Sequence, residues 1–359
     1  MLIVDAHQDL AWNILAFGRD YTRSVTDTRQ GELGELAPQV NGDTLLGWPE
    51  YQEARVAVIF ATLFAAPIRR KLGNWDTLCY ADEAQARQLY RAQLDTYYRL
   101  VDEHPDHFRL ILVARDLNEL LNNWTNQDKQ GHPVGLVVLM EGAEGVGEFA
   151  ELEEWWQAGV RLIGPAWAGT RFCGGTREPG PLTADGYALL DGMATFGFTL
   201  DLSHMDEKAA LQALDHYPGP VVATHANALA LLKGSQSNRH LTDRVIQGLL
   251  ERGGIIGVVP HNSFLKVGWS RREEVSLTQV VAHIDYICQK AGDAKHVGLG
   301  TDFDGGFGWQ SVPDEIDSIA DLPKIAKLLV EDGYTQEDVA AIMGQNWLSL
   351  LHSSFPEEV

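Results

Sequence analysis

The chain has 359 residues, 45% of them hydrophobic, which is ample for a large buried core. Its 28 lysines and arginines stand against 50 aspartates and glutamates, a formal net charge of −22. That balance argues against nucleic acid and against an anionic membrane surface as partners, since both are bound through basic patches that neutralise phosphates.

The first strand is read at 2–6, directly after the initiator Met, so no secretory leader is expected in this sequence. The next apolar run, at 56–64, belongs to the longest one in the chain, 56–68, and that run is too short to span a bilayer as a helix. A helix is expected at 80–103, then a surplus apolar run at 110–113 placed outside the barrel, then a helix at 117–124. Further strands are expected at 135–140, 160–165, 198–202, 220–224, 254–259 and 296–300, with helices at 149–158, 206–215, 242–252, 277–291 and 322–332. The Gly-rich stretch 169–180 reads as a loop at a strand end. Most of the strand runs are continuously apolar, as strands buried on both faces of a parallel sheet are. Strand–helix alternation repeated about eight times predicts a single (β/α)₈ barrel of the TIM type over residues 1–359. An open doubly wound sheet is the structural alternative, but no Gly-rich phosphate fingerprint follows the first strand.

Acidic residues and histidines recur at the carboxyl ends of these strands. His7 and Asp9 end the first in VDAHQDL, Glu141 ends GLVVLMEG, His204 ends TLDLSH, His225 ends VVATH, and Asp302 ends VGLGTDFDG. In a barrel those ends converge on the face where active sites are built. Residues i and i+2 of a strand point the same way, so His7 and Asp9 suit a common ion. Imidazole and carboxylate ligands suit Zn²⁺, Mn²⁺ or Co²⁺, and this many ligands exceed the needs of one four-coordinate ion. A carboxylate-bridged pair of ions uses them all, with Glu141 as the bridge and a bridging hydroxide as the attacking group. A lone strand-end His is more often structural, and strand-end Asp or Thr is often a helix cap, a description that fits Asp206 and Thr242 and extends to Asp302. Five coincident placements outweigh that reading. Cys79, Cys173 and Cys288 are far apart and lack a CxxC spacing, so neither a disulfide framework nor a thiolate zinc site is expected, and a reducing, cytoplasmic location is.

The motifs His7-x-Asp9, Glu141-Gly142, Asp201-Leu202-Ser203-His204, Thr224-His225-Ala226-Asn227, Arg239 in RHLTD and Asp302 in TDFDG together resemble those of the membrane (renal) dipeptidase family of metallopeptidases, within the amidohydrolase-like barrels. The resemblance runs in order through nearly the whole chain, to QNWLSLL near its end. It implies two zinc ions bridged by Glu141, with His7 and Asp9 completing one site and His204 and His225 the other. Asp302 corresponds to the acid/base carboxylate, and Arg239 to the residue that grips the dipeptide's terminal carboxylate. A homodimer is implied as well. Two positions depart from better-known members. Trp167 stands where a His helps hold the scissile carbonyl, and His261 stands near the place of a substrate-binding Tyr. A bulky indole there predicts a narrowed pocket and small residues on the N-terminal side of the substrate. The expected function is hydrolysis of a dipeptide. The alternatives are hydrolysis of another small amide or lactam, and a metal-binding barrel without catalysis.

Overall fold

The computed structural model describes residues 1–126 and 131–357. Eight parallel strands carry the architecture: β1 (Ile3–Gln8), β2 (Val56–Phe64), β3 (Val134–Glu141), β4 (Val160–Gly164), β5 (Thr199–Asp201), β6 (Val221–Val222), β7 (Ile256–Val258) and β8 (Val297–Leu299). Each pairs with its neighbour in chain order, and β8 pairs with β1. The ring is completed between β6 and β7 by one bridge, Ala223 to Ile256. Around it the Ala223 N–H donates to Ile255 O at 2.9 Å and the Gly257 N–H to Ala223 O at 2.8 Å. Gly257 is required at this seam, because a Cβ there would lie 1.9 Å from Thr224 O. The result is a nearly closed (β/α)₈ barrel, as the alternation of apolar runs predicts.

Alternation within the strands sorts their side chains into two apolar layers. Val4, Ala6, Val58, Phe60, Val137 and Leu139 share one cluster with Trp347. Ile3, Ile59, Ala61, Val138 and Met140 join another with Tyr97, Ile246 and Ile284 from surrounding helices. Trp347, on the C-terminal helix Asn346–Ser354, donates its indole N–H to Leu299 O at 3.1 Å. Asn346 beside it donates to Ala294 O and Val297 O. This helix therefore closes the barrel floor beneath the amino ends of the strands.

Most helices begin where the sequence places a cap. Asp82 accepts from the Gln85 N–H and starts Glu83–Glu103, three residues later than expected. Asp206 and Thr242 cap Glu207–His216 and Asp243–Glu251 as anticipated. Two segments differ from expectation. The surplus run lies slightly earlier, at Phe108–Leu110, and stands outside the ring of eight as expected, paired with the first residues of β3 below the point where β4 takes over that edge. The Gly-rich stretch folds as an antiparallel hairpin, Cys173–Gly175 with Glu178–Leu182. Its short strands lack an apolar alternation because Gly174, Gly175 and Gly180 carry no side chain. Among the described residues, no helix is long and apolar enough to cross a membrane.

Candidate metal centre

The carboxyl ends of the strands bring His7, Asp9, Glu141, His204, His225 and Asp302 to one rim of the barrel. Their donor atoms form three overlapping groups, each within 4.8 Å: His7, Asp9 and Glu141; Glu141, His204 and His225; and His7, His225 and Asp302. Glu141 is common to the first two. Its Oε2 lies 3.7 Å from His7 Nε2, and its Oε1 lies 2.9 Å from His204 Nε2 and 3.4 Å from His225 Nε2. The two imidazole nitrogens of His204 and His225 are themselves 3.0 Å apart. His7 Nε2 is 3.9 Å from both Asp9 Oδ2 and Asp302 Oδ1.

Local backbone explains how these side chains reach the rim. Asp9 occupies the N-cap position of the helix Leu10–Phe17, yet its carboxylate makes no capping hydrogen bond, and its Oδ1 is buried without a partner. A capping role, the bland reading of such an Asp, is not what this one performs. His204 and Asp302 hold left-handed backbone, with φ of 66° and 57°. Such conformations are costly for residues with a Cβ and are tolerated where the surroundings over-determine them. Gly305 makes room for Asp302, since a Cβ there would lie 2.0 Å from Asp302 Oδ1.

A second set of groups orients the first. Thr176 Oγ1 lies 2.9 Å from His204 Nδ1, and Thr224 Oγ1 lies 3.0 Å from His225 Nδ1. Thr224 donates its hydroxyl to Asp201 Oδ2 at 2.6 Å, and Asp201 also accepts the Ser203 and Thr224 N–H groups. Partners of this kind fix a ring's tautomer and direction. Asp5 accepts the Thr301 N–H and hydroxyl, tying β1 to the end of β8. Asp304, at φ 63°, anchors the rim: it accepts from Tyr21, Thr44 and the Leu45 N–H and pairs with Arg19 at 3.0 Å. Of the two aspartates in TDFDG, therefore, one faces the ligands and the other holds the loop beside them.

The electrostatics fit a cation. Burial, then repulsion from Asp9 and Asp302, holds Glu141 well above the usual carboxylate range. Burial and Asp9 do the same to Asp302, while burial and Asp304 push Asp9 up to about 7. Burial drives His204 and His225 well below the usual imidazole range and His7 down to about 3, so all three offer neutral nitrogens. Three crowded carboxylates and three neutral imidazoles, converging with an orphaned Asp9 oxygen, are a donor set for divalent metal.

The centre opens into a cavity of about 330 Å³, whose walls include Asp9, Glu141, His204 and Asp302 together with Arg239, Trp167 and His261. Arg239 is 5% exposed. It donates Nη2 to His225 O at 2.7 Å, while its Nε and Nη1 are buried without partners. Its guanidinium lies 5.1 Å over the ring of Phe264. Trp167 packs against Phe64, with ring centroids 5.1 Å apart, and stands 6.2 Å from the His204 ring. His261 stacks on Phe307 at 4.1 Å. The sequence reading missed Thr176, Arg177 and Trp12 among the wall residues. Trp12 alone carried a signal, lying one turn past Asp9.

Residues 1–354 match the family described as membrane dipeptidase, peptidase family M19. A protein of Klebsiella pneumoniae, described only as an uncharacterized protein in the pqqA 5′ region, is 35% identical over 269 residues, covering 72% of this chain and 93% of its own length. The dipeptidase tcpJ of Claviceps purpurea is 26% identical, over 97% of this chain and 76% of its own. The crystal structure of a metallopeptidase named dipeptidase AC superposes with a TM-score of 0.79 at 25% identity, covering 99% of each chain.

Proposed function

The chain belongs to the membrane dipeptidase family of metal-dependent peptidases, and from that premise we propose that it hydrolyses free dipeptides with a pair of divalent ions, most simply Zn²⁺. The observation that carries this reading is the position of Glu141, shared by two ligand groups in the wall of a cavity that also holds a buried arginine with two unused donors. His7 and Asp9 would hold one ion, His204 and His225 the other, and Glu141 both. When bound, such ions supply a water of lowered pKa and polarise the scissile carbonyl.

The protein's own groups do the rest. Arg239, whose Nε and Nη1 are without partners, receives the substrate's terminal carboxylate, a charge-assisted contact that satisfies a stranded donor. That fixes the substrate's direction across the centre. Asp302 takes the proton released on attack and passes it to the departing amine. Trp167 and Phe64 form an apolar wall that excludes water beside the reacting bond.

The test is a dipeptide panel on metal-loaded enzyme, with each substrate free and amidated at its C-terminus. Amidation should cost at least about tenfold in kcat/KM, since stranding a buried charge typically costs ~2–5 kcal/mol. Arg239→Met should erase most of that difference. Equal rates on free and amidated substrates would remove Arg239 from recognition. No cleavage of any dipeptide would point instead to another small amide or lactam, or to a barrel that binds metal without turnover.

A further inference from the structure

The hairpin over the rim turns through Thr176 and Arg177, between the paired residues Gly175 and Glu178. Both turn residues serve the cavity wall. Thr176 orients His204, and Arg177 adopts left-handed backbone with φ 63°. Asn238 holds it there: the Arg177 N–H donates to Asn238 Oδ1 at 2.9 Å, and Asn238 Nδ2 donates in turn to Gly175 O and Asp206 Oδ2. Asn238 immediately precedes Arg239, so the turn is tied to the segment that carries the buried arginine. A strained conformation, braced by three hydrogen bonds, ties the base of the Arg177 side chain to the residue that precedes Arg239.

The guanidinium of Arg177 has no hydrogen bond or ion pair among the described residues. The acid beside it in sequence, Glu178, is already engaged by Arg69 at 2.8 Å and by Arg70 at 2.7 Å. Arg70 shares the cavity wall, but its guanidinium is thus already held by Glu178. The acids Asp9, Glu141 and Asp302 gather at the ligand end and face the metal positions. In a chain of net charge −22, an uncompensated cation held by a braced turn at a cavity wall is a place for an anion of the substrate.

We propose that Arg177 selects dipeptides with an acidic residue at the C-terminal position, binding that residue's side-chain carboxylate while Arg239 binds the main-chain one. The proposal rests on the dipeptidase reading above. Arg177 lies toward solvent, so the pair it makes is a rim pair of modest strength, and a preference of about fivefold is the expected size.

The measurement is kcat/KM for Ala-Asp against Ala-Asn, and Ala-Glu against Ala-Gln, with the second residue in either configuration. The isosteric amides remove the charge and little else. The metal-loaded enzyme should favour the acids by about fivefold. Arg177→Gln should bring the acid-to-amide ratio to about one, and Arg177→Lys should restore part of it. Calorimetric titration with free aspartate and free asparagine, one of the products in each case, gives a readout independent of turnover and should show the same order. A ratio near one in the unaltered enzyme, or a ratio that Arg177→Gln leaves unchanged, would overturn the proposal alone. Failure to cleave Ala-Ala and Ala-Asn as well as Ala-Asp would overturn the dipeptidase reading and this proposal with it.

Discussion

Asp302 sits where two roles meet, close enough to His7 and His225 to join a ligand group, and exposed enough, at 13% of its side chain, to reach a substrate. The two roles separate in the amide variant. Asp302→Asn is nearly isosteric but neither accepts nor returns a proton, so turnover should fall by ~10²–10⁴-fold while metal content stays near that of the unaltered enzyme. Metal analysis beside steady-state kinetics decides it: loss of an ion with the activity would make Asp302 a ligand first. The principal ligand candidates were legible in sequence because each follows a run of apolar residues, and a strand end is a fixed place in a barrel. Their supports were not. Thr176 meets His204 across 28 residues, and Arg177 owes its position to Asn238 across 61. Contacts made by folding alone leave no local pattern to read.

Among the elements, the barrel strands were readable as continuous apolar runs, whereas the rim hairpin was not. Its residues Gly174, Gly175 and Gly180 carry no side chain to alternate, and Gly174 packs so closely on Gly180 that a Cβ on it would lie 2.0 Å from Gly180 N. The strand at Phe108–Leu110 was read slightly late in the chain but outside the ring of eight, where it borrows the lower edge of β3. The C-terminal helix has the clearest structural task. Trp347 is fully buried against Phe60, with ring centroids 5.3 Å apart, and fills the floor of the barrel. Trp347→Ala should destabilise the fold by about 3–5 kcal/mol, read from urea unfolding, because a cavity replaces a large side chain. Metal bound per folded molecule should be unchanged, since the ligands lie at the opposite end. A variant of undiminished stability would mean that the floor repacks without it.

At the scale of the whole molecule, acid should weaken the fold through a buried histidine away from the candidate metal centre. His283 is 1% exposed, and its Nδ1 accepts the Ala228 N–H at 3.2 Å, so the fold holds it neutral. Burial lowers its pKa from 6.5 to about 4. The unfolded chain therefore takes up the proton first as pH falls. Stability from this group is intact above about pH 6.5 and is lost progressively down to about pH 4, by up to ~3 kcal/mol. His283→Asn keeps an acceptor near the Nδ1 position without the titration, so its stability should fall less steeply over that interval. Parallel curves for the two proteins would clear His283 of the effect. The barrel seam has a consequence of another kind, in how the ring breathes. The β2–β3 ladder runs unbroken from Val58–Gly135 to Phe64–Glu141, while β6 and β7 meet at one bridge. If the ring opens, it opens there, and His225 stands on one bank with His7 and Asp302 on the other. A metal joining the banks is then a latch as well as a reagent. Backbone amides of Ala223, Ala226 and Gly257 should exchange with deuterium sooner than those of β2 and β3 in chelated protein. Loading the metal should slow the seam amides and leave the β2–β3 amides as they were. Uniform slowing everywhere would describe a ring that loosens as one body.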